Sequence, residues 1–137
     1  MKRNIFLLVF VFSFFSIGCS AHSPMIIKNT YNMETSFKYS AHKNKVYLTN
    51  EKLSTKDYKY EVISPVDAGK VWYGKSGDIY ESMAVMAREL GADAVIEIKV
   101  WFQPSGFSWA APHGSGKAIK FIDKVPTDFS GIQGEWR

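Results

Sequence analysis

Between Asp78 and Phe102 the chain changes its hydrophobic period once, and that change restricts the available folds more than any other feature. Ile79, Met83, Met86, Ala87 and Leu90 recur at three- and four-residue spacing, which places them on one stripe of a helix. Asp78 is placed to cap that helix, with Glu81 three residues on to reach back as a capping box. Gly91 is the predicted stop, because glycine takes the left-handed conformation after a helix without strain. From Ala94 the period becomes two: Ala94, Ile96, Ile98, Val100 and Phe102 alternate with Glu97 and Lys99, as in a half-buried strand. A helix that turns straight into a strand buries its stripe against the sheet that the strand joins.

The flanking segments supply the rest of that sheet. Lys45–Thr49 and Tyr58–Ser64 alternate and predict two strands, the second with Tyr60 and Val62 on one face, Glu61 on the other, and Pro65 interrupting it. Val71-Trp72-Tyr73 extends that strand or adds one before a turn over residues 74–77. Gln103–Gly116, rich in Gly, Pro and Ser, reads as a loop. Lys117–Ile122 then closes the sheet with Ile119 and Phe121 inward. The order predicts an α+β domain over residues 45–124: a small, mainly antiparallel ββαββ sheet with one amphipathic helix packed on one face. Residues 125–137, with Pro126, Gly131 and Gly134, form an irregular C-terminal tail.

The N-terminus carries an address. Lys2 and Arg3 precede an apolar run from Ile5 to Ile17, too short to span a bilayer, which needs about 20 apolar residues. A charged start, a short apolar middle and small residues at the end describe a signal segment over residues 1–18. Ser16-Ile17-Gly18-Cys19 resembles the lipobox of bacterial lipoproteins. An ordinary signal peptide with an incidental cysteine, or an uncleaved anchor, is the alternative. The resemblance implies acyl chains on Cys19, and two or three such chains make a stable membrane anchor. Ser20 after the cysteine implies sorting to the outer membrane. Residues 19–44 are polar and read as a lipidated tether. Within them Met25-Ile26-Ile27 is an apolar exception, either a short strand or a membrane-proximal contact.

Losing Lys2 and Arg3 with the signal takes 17 basic residues to 15 against 13 acidic, so a nucleic-acid partner is not implied. Cys19 is the single cysteine, which excludes an internal disulfide framework and a cysteine-based zinc site. His22 and His42 fall in the tether and His113 in a loop. Unclustered, they predict no metal site and read as solvated surface histidines. Gly114-Ser115-Gly116-Lys117 lacks the upstream glycine and the following Ser or Thr of a phosphate loop. Ser105, Ser108 and Ser115 share a loop with His113, but no orienting acid or oxyanion hole accompanies them. No catalytic residue and no cofactor are assigned. Trp72 and Tyr73 read as core. Phe102, Phe107 and Trp109 are the candidate partner-binding residues, since their loop carries more aromatic surface than a solvated turn needs; the alternative is that the tip folds back and covers a thin core.

Met83 to Ile96, with its Gly91-Ala92-Asp93-Ala94 turn, is similar to the helix-to-strand signature of YbjQ-type domains, which are labelled heavy-metal-binding. Gly114 to Lys120 resembles their closing strand. The lipobox, the tether and the stretch Val46 to Leu53 also resemble RcsF-like lipoproteins, which sense damage to the bacterial envelope. The disulfides of those sensors have no counterpart here, so a redox-linked role does not carry over. The resemblance implies a non-enzymatic lipoprotein on the periplasmic face of the outer membrane, binding an envelope protein in stress sensing or envelope homeostasis. Its other branch implies a metal-ion or small-molecule binder, and a homo-oligomer joined through sheet edges.

Overall fold

In the computed structural model, which describes residues 26–30, 38–106 and 108–137, one helix lies among six strands. They are β1 (Ile26–Thr30), β2 (Tyr47–Thr49), β3 (Tyr60–Lys70), α1 (Ser76–Glu89), β4 (Ala94–Ser105), β5 (Ser108–Phe121) and β6 (Gly134–Trp136). The sheet order is β1-β3-β5-β4-β2-β6, antiparallel throughout except that β2 runs parallel to β4. The domain is α+β, with a strand added at each end of the expected ββαββ order. The signal segment, Cys19, His22, Met25 and Phe107 lie outside the described residues.

Helix α1 buries the predicted stripe, with Ile79, Met83, Met86 and Ala87 at most 1% exposed. It starts earlier than the sequence suggests. Lys75 is the N-cap and Asp78 stands at the third helical position, where its carboxylate accepts the Lys75 N–H at 3.2 Å. Asp78 thus plays the part expected of Glu81, which instead meets Arg88 and Arg137 at 3.4 and 3.3 Å. At the other end Ala92 N–H donates to the Ala87 carbonyl and Gly91 N–H to that of Arg88, the paired bonds of a Schellman motif. Gly91 has φ +70°, and a Cβ there would meet the Ser40 carbonyl and Tyr39 at 2.7 Å. Residues 38–42 are therefore docked rather than purely tether. Tyr39 packs against the core and His42, expected at the surface, bonds the Ala92 carbonyl through Nε2 at 2.7 Å.

The uninterrupted alternation predicted for β4 does not occur. Ile96 pairs with Lys117 and Lys99 with Ser115, so β4 spends three steps where β5 spends two. The extra residue is Glu97, at φ +54°. Such a bulge switches the faces beyond it. Ala94 and Ile96 consequently pack on the face away from the helix, while Val95 and Ile98 pack beneath it.

Strands β3 and β5 run much longer than their sequences predict. Pro65 does not interrupt β3: it pairs with Lys117 of β5, and among the described residues β1 pairs only as far as Val66, which leaves Pro65 at a position that a strand proline tolerates. Pro112 in β5 likewise lies one residue past the last β3 pair, Gly69 with His113. The expected loop 103–116 is thus mostly a hairpin between β4 and β5. Its glycines serve packing: a Cβ on Gly114 would meet Ile79 at 2.6 Å, and one on Gly116 would meet Val95 at 2.7 Å. Val71-Trp72-Tyr73 forms no strand but bends into α1.

The tail is part of the fold. Arg137 and Val46 exchange backbone hydrogen bonds of 2.7 and 3.0 Å, and Phe129 covers the face away from the helix. The Phe129 ring stacks on Tyr47 at 3.9 Å and lies within about 6 Å of Phe121 and Trp136. Ile119 and Phe121 are inward as predicted, but toward this second core. Asp93 ties the helix-to-strand turn to β5, accepting the Phe121 N–H at 3.1 Å and pairing with Lys120 at 2.7 Å. Chemical denaturation of the full chain is expected to show Phe129→Ala losing about 3 kcal/mol. Asp93→Ala should lose about 2 to 4 kcal/mol, since it strands a backbone N–H and a half-buried lysine. A stability change near zero for Phe129→Ala would mean that the tail does not close the second core.

Candidate functional site

Sheet and helix differ in reach, and the candidate site follows from that difference. Fourteen helical residues span about 21 Å, whereas the fourteen residues of β5 span about 46 Å. The tail covers the opposite face only near Phe121. The remaining length of the β4–β5 hairpin projects as an arm, from about Val100 to the turn and back to His113.

The structure places Phe102 and Trp109 on this arm. Phe102 is 54% exposed and Trp109 is 84% exposed. Phe107, the third candidate, lies outside the described residues. Trp101 joins them and was missed, although its place beside Phe102 signalled it. Its indole N–H donates to Gln103 Oε1 at 2.8 Å, and its ring stacks on His113 with centroids 6.2 Å apart. Trp101, Gln103 and His113 share the face away from the helix, and Phe102 is on the other, so the arm presents apolar rings on both sides. Trp72 and Tyr73, expected in the core, are exposed at the same end and meet edge to face at 6.0 Å. The turn is seated on that segment: a Cβ on Gly106, whose φ is +56°, would meet the Val71 carbonyl at 2.5 Å.

His113 is not a loop residue. Its ring lies over Gly69, where a Cβ would approach Nδ1 to 2.2 Å, so that glycine is required by close approach. Ser108 Oγ accepts the Ala110 N–H at 3.2 Å and thereby shapes the turn. Glu97 and Lys117 pair at 2.8 Å across the bulge. No group of three or more His, Cys, Asp or Glu side chains stands close enough to hold a metal ion among the described residues.

Charge frames the arm. Lys70 ion-pairs with Asp78 where β3 ends, and this pair, with the Lys75 N–H, holds the Asp78 carboxyl below its ordinary range. Lys75 and Lys99 are exposed close by. At the opposite end a groove of about 320 Å³ is lined by Leu48, Thr49, Asn50, Tyr80, Gln133, Gly134 and Glu135. Its hydroxyl and carboxylate have structural work: Thr49 donates to the Gln133 carbonyl at 2.6 Å, and Glu135 accepts from Arg137 Nε at 2.7 Å. The arm is therefore the better candidate. Compared with family models, with curated proteins and with solved structures, the chain matches none.

Asp67, two rows from Gly69 and paired with Ser115, offers a test of how dry the root of the arm is. Burial pushes its carboxyl above the ordinary range. The folded state thus disfavours the ionised form, a penalty present above the folded pKa and relieved as pH falls below it. Asp67→Asn is expected to raise Tm near neutral pH, with the gain shrinking as the solution is acidified toward about pH 4. A Tm difference that does not change with pH would contradict the burial of this carboxylate.

Proposed function

We propose that this chain is a lipid-anchored protein of the bacterial outer membrane whose periplasmic α+β domain acts by binding, in envelope stress sensing or envelope homeostasis. The observation that carries the reading is the arm, which holds Trp101, Phe102 and Trp109 out from both cores with much of their surface exposed. Exposed aromatics on a hairpin make a contact surface, because leaving such rings in water forgoes burial that any counterpart would restore. Of the polar side chains near it, Ser108 shapes the turn and Lys70 pairs with Asp78. Cys19 in its lipobox-like setting supplies the anchor, and the resemblance to RcsF-like lipoproteins supports an envelope protein as a partner of the domain.

Metabolic labelling with a palmitate analogue tests the anchor. The wild-type chain is expected to take up label and fractionate with outer membrane, whereas Cys19→Ala should lose nearly all label and leave the membrane fraction. Equal labelling of the two chains would remove the anchor from the reading.

A further inference from the structure

We propose that the arm is a membrane-contact element, with Trp101, Phe102 and Trp109 seated in the headgroup layer of the same bilayer that holds Cys19. This deepens the anchored-protein reading and rests on it. The argument begins where the chain enters the domain. Ile26 pairs with Lys70, and Ile27 stands in one cross-sheet row with Gly69, His113 and Trp101. At about 4.8 Å per strand, that row sets Trp101 about 14 Å from Ile27. Just beyond it, Gly106 rests on Val71. The chain therefore enters β1 at the end of the sheet from which the arm projects.

Only residues 20–25 separate Cys19 from Ile26. Fully extended, that stretch covers about 25 Å. An acylated Cys19 lies no farther than this from Ile26. From the row of Ile27 and Trp101, Ala94 at the opposite end of β4 is seven residues on, about 23 Å along the strand. Of the two ends, the aromatic one is thus the nearer to the point where the tether enters.

Its chemistry suits that place. Indole and phenol rings gather at the headgroup level, where an apolar body and a polar edge are both satisfied. The arm offers Trp101 on one face and Phe102 on the other, as a hairpin edge entering the interface would. Lys75 and Lys99, exposed beside it, can meet anionic headgroups.

Brominated lipid provides the test. The full-length acylated chain is reconstituted in vesicles of phosphatidylethanolamine and phosphatidylglycerol with bromine on the upper acyl carbons. Two single-tryptophan forms are compared, one keeping Trp109 and one keeping Trp136, the other tryptophans becoming Phe. Trp136 pairs with Tyr47, and Tyr47 with Ala94 at the far end of β4, so it is the internal reference. Trp109 is expected to lose several-fold more emission than Trp136. Equal quenching in chains that float with the vesicles overturns the membrane contact and leaves the anchor standing. Failure to float overturns the anchor, and with it the proposal. In cells, one photoreactive residue in place of Trp109 is expected to give lipid adducts. Adducts with protein alone would make the arm a protein-docking surface instead.

Discussion

The extra residue at Glu97 is the constraint on which the rest of this fold depends. A strand that alternated strictly from Ala94 onward would put Ile98 and Val100 on the face of Ala94 and Ile96, away from the helix. The bulge moves them under α1 and leaves Ala94 and Ile96 to a second core. A left-handed backbone for a glutamate costs about 1 to 2 kcal/mol. Local bonds offset it: the Glu97 N–H donates to the Glu51 carbonyl at 3.0 Å and the carboxylate pairs with Lys117 at 2.8 Å. One strand can therefore serve two cores, and a short chain closes both faces of its sheet around one end.

Closeness of helix to sheet follows from small residues at the right rows. Gly114 lies under Ile79 and Met83 of the helix, Gly116 makes room for Val95 and Ile98 of β4, and Ala84 and Ala87 are fully buried on the helix side. That spacing draws α1 down onto β5. The turn that leads from it is clamped by Asp93, whose carboxylate takes the Phe121 N–H and Lys120 from β5. Gly91-Ala92-Asp93-Ala94 is thus a structural joint. Its residues explain how the helix is delivered to the strand and leave function to other parts of the molecule.

Helix α1, its stop at Gly91 and the onset of β4 were legible because the hydrophobic period there is set by burial alone. Legibility failed where tertiary context overrode local pattern. Glu97 looks like an ordinary polar position in an alternating strand, and only pairing with β5 reveals the inserted residue. Pro65, Pro112, Gly114 and Gly116 read as strand breakers, yet among the described residues the prolines pair with a strand on one side only, and the glycines give room to Ile79 of the helix and Val95 of β4. Phe129 was hidden among turn residues, because its burial depends on Tyr47, eighty-two positions earlier. Phe102 and Trp109 stood out by aromatic density, whereas Trp101 and the exposure of Trp72 and Tyr73 depended on how far the helix reaches.

The same residue types meet opposite fates at the two ends of the sheet. Near Ala94, Tyr47, Phe129 and Trp136 stack on one another because the tail folds back over them. On the arm Ser108, Ala111 and Pro112 are buried, yet Phe102 stays 54% and Trp109 84% exposed. Full burial of a ring of this size stabilises by roughly 1.5 to 3 kcal/mol, and a small domain is stable by only about 5 to 15 kcal/mol in total. Leaving several rings in water is thus a large concession for a domain of this size. It is recovered only if something outside the domain covers the arm.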